Sequence, residues 1–145
     1  MDLLGVSPVL DLNDEEWRIY SRHDPHSPQF VAADAVVDNS TITEGCEICG
    51  TVRNSVIGSG VVIEKGALVL DSVILDGVTV KSGAVVNYSI IDSGTTIGEN
   101  CKVGADKQSA KDVSVIGADI NVPAGTVVCD GAMIAKAADL NKEGN

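Results

Sequence analysis

Aliphatic residues recur through the middle of the chain at steps of six, six and five positions. Between residues 57 and 103 the equivalent positions lie 17 apart and form three columns of β-branched residues: Ile57/Ile74/Ile91, Ile63/Val80/Ile97 and Val69/Val86/Val103. An amphipathic helix would instead place its apolar residues at a period of 3.6. The spacing therefore predicts short strands joined by corners, three to each turn of a coil.

Stacked coils explain why every column member is β-branched. Each inward side chain would lie on its equivalent one coil away, at the ~4.8 Å separation of paired strands, and stiff β-branched side chains suit such a pleated surface. The composition agrees, because 44% of residues are hydrophobic and only 3% are aromatic. We predict an all-β fold, a single-stranded parallel β-helix of hexapeptide repeats with about five to six triangular coils.

A recurring tetrapeptide marks each coil and locates an insertion. Its serines, spaced by 15, 17, 17 and 25 residues, are Ser40, Ser55, Ser72, Ser89 and Ser114. The last gap is one period plus eight residues, which predicts an insertion loop at 104–112. The β-helix is predicted at 31–135, with Val37, Ile42, Ile48 and Val52 forming a shorter first coil.

The two flanks of the predicted β-helix differ. Residues 1–30 hold the single Trp17 and both histidines, and they are predicted to form an extended arm on the outside of the β-helix or a linker. Residues 136–145 form the C-terminal tail, which either closes the last coil as a short helix or frays.

Charge and cysteine content narrow the possible partners. The net charge of −11 opposes nucleic acid and anionic membranes, and the N-terminus lacks a basic region followed by an apolar stretch. We therefore expect a cytoplasmic protein with reduced thiols. Cys46 and Cys49 form a CxxC pair, but Cys46 is predicted to fill the same small core position as Ala67, Ala84 and Cys101.

The search for chemistry leaves few candidates. Acyltransferases and carbonic anhydrases built on hexapeptide coils need coil-borne histidines as a general base or as zinc ligands. Here His23 and His26 both precede the first coil, so we predict no catalytic residue and no metal site in the chain. Lys107 and Lys111 lie in the insertion and could bind an anion, or could merely solubilise a loop.

The motifs resemble those of bacterial ADP-glucose pyrophosphorylases (glucose-1-phosphate adenylyltransferases). The stretch 10–21, LDLNDEEWRIYS, is similar to their "LDLYDxxWPIYT" linker, although Arg18 stands where the family usually has Pro. Residues 39–56 resemble "NSLVSEGCxIxGxVxNSVL", and residues 116–125 resemble "VIGENxxIPAG". The resemblance covers nearly the whole chain.

The resemblance implies a left-handed β-helix that forms the C-terminal oligomerisation and allosteric domain of that enzyme. The parent reaction converts ATP and glucose 1-phosphate to ADP-glucose and pyrophosphate for glycogen synthesis, with Mg and ATP bound by an N-terminal catalytic domain that we expect to be missing here. The fragment alone is expected to be inactive and to hold no cofactor. Its expected partners are the catalytic domain, further copies of itself, and a phosphorylated-sugar or adenine-nucleotide effector near Lys107 and Lys111.

Two alternatives to this function differ in class. A stand-alone acyltransferase-like hexapeptide enzyme would bind an acyl-CoA between coils, but it lacks the histidine it needs. A purely structural assembly module would hold partners together through its sheet faces or its arm.

Overall fold

The computed structural model describes residues 25–141 as eighteen short strands followed by one 3₁₀ helix, Ala137–Asn141. The strands of the first three coils are β1 Phe30–Val31, β2 Val36–Asp38, β3 Thr41–Ile42, β4 Glu47–Ile48, β5 Thr51–Arg53, β6 Val56–Ile57, β7 Val62–Ile63, β8 Leu68–Leu70 and β9 Val73–Ile74. Those of the last three coils are β10 Thr79–Val80, β11 Val85–Asn87, β12 Ser89–Ile91, β13 Thr96–Ile97, β14 Lys102–Val103, β15 Ser114–Ile116, β16 Asn121–Val122, β17 Val127–Val128 and β18 Met133–Ile134.

Each strand pairs in parallel with the strand three places along the chain, which confirms the predicted β-helix. The result is three six-stranded sheets. Sheet A begins with β1, sheet B with β2 and sheet C with β3, and each turn of the coil visits them in that order. The left-handed sense of the coil stays a prediction from the family resemblance.

Three ladders of β-branched side chains fill the interior, as the columns predicted. Sheet C stacks Ile57 on Ile74, Ile74 on Ile91 and Ile91 on Ile116, while the Ile63 and Val69 columns stack in sheets A and B. From the second coil to the sixth these residues are buried. The core is thus a narrow column one side chain deep from each sheet, with no room for an aromatic ring.

The shorter coil was predicted as the first, but the structure places the short corner in the second coil. Ile48 and Val52, in sheets A and B, are four positions apart, whereas Ile63 and Val69 of the next coil are six apart. The tight corner between them passes through Gly50, where an added Cβ would lie 2.5 Å from the carbonyl oxygen of Ala67. Glycine is the residue that lets two backbones approach this closely.

The two ends of the described β-helix are finished differently. At the C-terminal end the 3₁₀ helix contacts β16 and β18 and buries Leu140 in the core, so the chain closes its last coil there. At the other end Val31 and Val37 remain open to solvent. The motif residues of the predicted arm, including Trp17, and His23 lie outside the described residues. No helix within 25–141 is long and apolar enough to span a membrane.

The recurring serines form a hydrogen-bond ladder that sequence reasoning did not foresee. The Ser55 hydroxyl donates to the Arg53 carbonyl at 2.7 Å and accepts the Ser72 backbone N–H at 3.2 Å. The Ser72 hydroxyl repeats this pattern, donating to the Leu70 carbonyl at 2.6 Å and accepting the Ser89 N–H at 3.1 Å. Each hydroxyl therefore satisfies a buried corner carbonyl and ties two coils together.

Two neighbouring isoleucines of strand β12 test the ladder core. Ile91 is 0% exposed and Ile90, on the outer face, is 37% exposed. Ile91→Ala should lower the free energy of unfolding by about 2–5 kcal/mol because it leaves a cavity between two fixed rungs. Ile90→Ala should cost under about 1 kcal/mol. Urea denaturation followed by circular dichroism measures both, and equal losses would contradict the assignment of faces.

Removing one rung of the serine ladder should also destabilise the β-helix. Ser72→Ala leaves the Leu70 carbonyl and the Ser89 N–H without their partner, at a cost of about 1–3 kcal/mol. Ser82→Ala is the matched control, because the Ser82 hydroxyl donates to the Lys65 carbonyl of the neighbouring coil at an exposed corner. This variant should lower the free energy of unfolding by about 0.5 kcal/mol or less. Thermal unfolding compares the two variants. A harmless Ser72→Ala would mean that the ladder adds no stability.

Candidate functional site

The insertion leaves the β-helix directly after β14 and returns at β15. Ser89 of sheet C pairs with Ser114, 25 positions on, and the chain between Val103 and Ser114 holds the eight extra residues. The departure point is Gly104 at φ +72°, where an added Cβ would press against the carbonyl oxygen of Asn87 and the hydroxyl of Ser89. Only glycine can leave the coil by this route, because it combines a positive φ with close backbone approach.

The serine ladder breaks where the insertion enters. The Ser114 backbone N–H donates to the Tyr88 carbonyl at 3.3 Å rather than to the Ser89 hydroxyl, and the Ser114 hydroxyl donates forward to the Cys129 carbonyl at 3.0 Å. The Oδ1 atom of Asn87, in the strand position that precedes this corner, is buried without a hydrogen-bond partner in the described part of the chain. Among the described residues, the hydrogen-bond pattern of this serine ladder is therefore interrupted only at Ser114.

A compact turn organises the insertion. The Asp106 carbonyl accepts the backbone N–H groups of Ser109 and Ala110 at 2.8 Å, and its carboxylate accepts that of Gln108 at 2.9 Å. This is the local capping that Asp side chains commonly provide in turns. The loop is thus a folded excursion with a fixed path.

The two candidate lysines anchor the insertion in opposite directions. The Lys107 ammonium lies 3.8 Å from a carboxylate oxygen of Asp71, two coils back. The Lys111 backbone N–H donates to the carboxylate of Asp130, one coil forward, at 2.9 Å. The described contacts of Lys107 and Lys111 therefore tie the insertion to two different coils, and the role of both lysines as phosphate ligands stays a prediction.

Asp71, the ion-pair partner of Lys107, lines a cleft on the outside of sheet C. The cleft has a volume of about 230 Å³ and is lined by Asp71, Val73, Tyr88, Ser89, Ile90 and Val113. Its lining is mainly apolar, with one aromatic ring and one carboxylate. It joins the corner between sheets B and C to the base of the insertion.

Tyr88 occupies an unusual backbone position at this cleft. It has φ +45°, the same left-handed conformation as Asn39, Asn54 and Asp71 at the equivalent corners. Asn and Asp tolerate that conformation, whereas a bulky residue there is uncommon. Held strain of this kind is frequent at functional sites. The departure from Asn and Asp was visible in the sequence, but sequence reasoning did not single out Tyr88 or Asp71.

The cleft combines apolar surface, an aromatic ring and the Asp71–Lys107 ion pair, in which the Asp71 side chain is partly buried and the Lys107 side chain exposed. Within residues 25–141 no group of three His, Cys, Asp or Glu side chains is placed to hold a metal ion.

The four thiols are all free, but their surroundings differ. Cys46 and Cys101 are buried, and their thiols donate to the Gly58 and Pro123 carbonyls at 3.0 and 2.9 Å. The predicted core role of Cys46 is confirmed, but its predicted position is wrong. Cys46 precedes Ile48 as Val61 precedes Ile63, whereas Gly50 takes the place equivalent to Ala67. Cys46 follows Ile42 by four positions, as Val61 follows Ile57, so the prediction had assigned it to the wrong one of two columns of small residues.

The fold and the repeat now define the class of protein. Residues 28–119 match the family described as GlmU-like, C-terminal hexapeptide, and the chain belongs to that family. The glucose-1-phosphate adenylyltransferase of Desulforamulus reducens is 39% identical over 132 residues, which cover 88% of this chain and 33% of that protein. That of Bacillus anthracis is 48% identical over 71 residues, 49% of this chain and 19% of that protein. The family resemblance read from the motifs is confirmed.

The chain corresponds to only part of each relative, and its fold is similar to that of a solved structure. The chain spans about one third of the length of the Desulforamulus reducens relative, or less in the Bacillus case. Among solved structures, the acetyltransferase domain of PglB from Neisseria gonorrhoeae matches with a TM-score of 0.51 and 21% identity. The match covers 77% of this chain and 53% of that one. At this identity the likeness concerns the fold alone.

Thiol reactivity should follow burial. Burial raises the pKa of the Cys46 thiol above its ordinary value of 9.0, so the reactive thiolate is scarce in the folded state. In the native protein a thiol reagent such as DTNB should modify exposed Cys129 first and half-buried Cys49 next. Cys46 and Cys101 should react only on unfolding. In Cys129→Ser the fastest phase should vanish, and rapid native labelling of Cys46 would contradict its core position.

Proposed function

We propose that this chain serves as the C-terminal β-helix domain of a glucose-1-phosphate adenylyltransferase. The observation that carries the proposal is 39% identity to such an enzyme across 132 residues. In this proposal ADP-glucose synthesis, with its ATP and Mg, belongs to the portion of the relatives that this chain does not span. The chain by itself is expected to form no ADP-glucose.

The proposed role of the domain is assembly and response to effectors in the cytoplasm. A rigid stack of six coils offers outer faces on which a catalytic domain or further copies can pack, and we propose a homo-oligomer. An effector with an anionic group would bind at the cleft on sheet C. Its apolar part would contact Tyr88 and Ile90, and Lys107 would exchange Asp71 for the anion through a charge-assisted contact.

Lys107 is the stronger of the two candidate effector ligands. Its ammonium already pairs with Asp71, which lines the cleft, while the described contact of Lys111 is made by its backbone to Asp130. Lys111 stays a second candidate ligand, for an anion bound on the outer side of the insertion. The alternative of an acyltransferase draws no support from the coils, since both histidines precede the first strand.

A chimera tests the regulatory role directly. This chain would replace the corresponding C-terminal third of the Desulforamulus reducens enzyme, and ADP-glucose formation would be measured with and without phosphorylated sugars. Lys107→Ala should weaken the effector response by about fivefold or more, the lower range of allosteric coupling, while basal activity stays unchanged. Lys65→Ala is the matched control, because Lys65 also forms an exposed ion pair, with Asp34 at 2.6 Å, in the first coils.

The possible results separate the competing functions. Equal effector responses in the chimera with Lys107→Ala and with Lys65→Ala would refute the assignment of the cleft. A chimera that is active but insensitive to every effector would reduce the chain to a structural module. ADP-glucose formation by the 145-residue chain alone would overturn the proposal that catalysis lies elsewhere.

A further inference from the structure

The outer face of sheet C carries one apolar side chain in each of five consecutive coils. Each of these positions pairs in register with its equivalent in the next coil, so the side chains form one uninterrupted row. Ile90 is 37% and Met133 76% exposed, and the other members are half-buried. The row is called the sheet C stripe and consists of Val56, Val73, Ile90, Val115 and Met133.

Charge separates this face from the other two faces of the β-helix. Sheet A has Glu47 among its outer side chains, and sheet B has Asp38, Arg53 and Lys102. The outer positions of the six strands of sheet C hold no charged side chain. In a chain of net charge −11, sheet C is therefore the face on which a second copy meets the least local repulsion.

The spacing of the stripe suits a partner with the same repeat. Its side chains recur every ~4.8 Å, the separation of paired strands. A facing sheet with that repeat can interdigitate with all five, as stacked sheets do at ~10 Å. A helix advances ~5.4 Å per turn and would drift by ~2.4 Å over the four intervals, about half the spacing of the rungs. A second copy of this chain has the matching repeat.

A two-fold axis brings the same surface of two copies together. If the two stacks run antiparallel and the axis passes at Ile90, the middle member of the stripe, each Val73 faces Val115 of the second copy. Val56 then faces Met133 of the second copy. The long, exposed methionine thus meets a smaller valine, and alternation of large and small side chains is what lets two layers interdigitate.

The size of the face determines the expected strength of the contact. Six strands at ~4.8 Å and three residues at ~3.3 Å give a face of ~24 Å by ~10 Å. This is well below the ~800 Å² that each partner buries in an interface of standard size. The contact should therefore be weak and depend on protein concentration.

We propose that two copies of this chain associate through their sheet C stripes in an antiparallel, two-fold arrangement. The inference deepens the homo-oligomer proposed above by naming its contact face, and it rests on that part of the proposed function. The cleft on sheet C shares Val73 and Ile90 with the stripe and continues to the corner of Asp71 and Tyr88. A ligand in the cleft would therefore border the second copy.

Analytical ultracentrifugation of the 145-residue chain tests the contact. From low micromolar to submillimolar concentration the average mass should rise from that of one chain towards that of two. Val73→Lys should raise the dissociation constant about tenfold or more, because it places an unpaired ammonium in an apolar contact. Val62→Lys is the matched control and should leave the constant unchanged, since Val62 is a half-buried outer valine of the same coil, on sheet A.

The remaining outcomes discriminate between the possible failures. If circular dichroism shows that Val73→Lys does not fold, Met133→Lys replaces it at a largely exposed position and should weaken association in the same way. Equal effects of Val62→Lys and the stripe variants would overturn the assignment of the face, and a mass that levels off at three chains would overturn the two-fold arrangement. A chain that stays single at every concentration would overturn both the stripe contact and the proposed homo-oligomer. The chimera tests the regulatory role separately.

Discussion

The whole structure depends on one constraint: each rung must land on an equivalent rung one coil earlier. Parallel strands ~4.8 Å apart allow no drift, since a slip of one residue would turn inward side chains to solvent. Three β-branched ladders supply the packing and the serine hydroxyls supply the vertical hydrogen bonds at the corners. A coil can therefore shorten or lengthen only at a corner, where Gly50 and Gly104 provide the room.

This constraint explains why the candidate site lies where it does. The cleft on sheet C lies where the insertion interrupts the stack of coils. The loop is tied to Asp71 two coils back and to Asp130 one coil forward, so it spans coils that otherwise contact only their neighbours. At the same place, within residues 25–141, the serine ladder ends at Ser89, the Asn87 Oδ1 has no hydrogen-bond partner, and Tyr88 lines the cleft.

Much of this fold could be read from spacing alone, because a repeat with one geometric solution leaves little to tertiary context. The columns of Ile57 and Val69 predicted both the faces and the register. The position of Cys46 was wrong because a small residue follows both the Ile57 and the Ile63 columns by four positions, and Cys46 was assigned to the second column although it belongs to the first. The cleft could not be predicted, since it depends on how the insertion folds back. Lys107 stood out by its place in the loop, but its partner Asp71 is 36 residues earlier and carries no signal in the local pattern.

The two ends and the insertion are the parts of the molecule that the repeat does not determine. Inside the stack the buried face of each coil is covered by the equivalent face of the next coil. A repeated sequence is therefore sufficient to form the core there. At an end that rule fails, and the covering group must come from a different kind of sequence. The Ala-rich stretch before Leu140 meets this need at one end with a short helix. At the other end of the described β-helix the ladders finish in Val31 and Val37, whose side chains stay exposed.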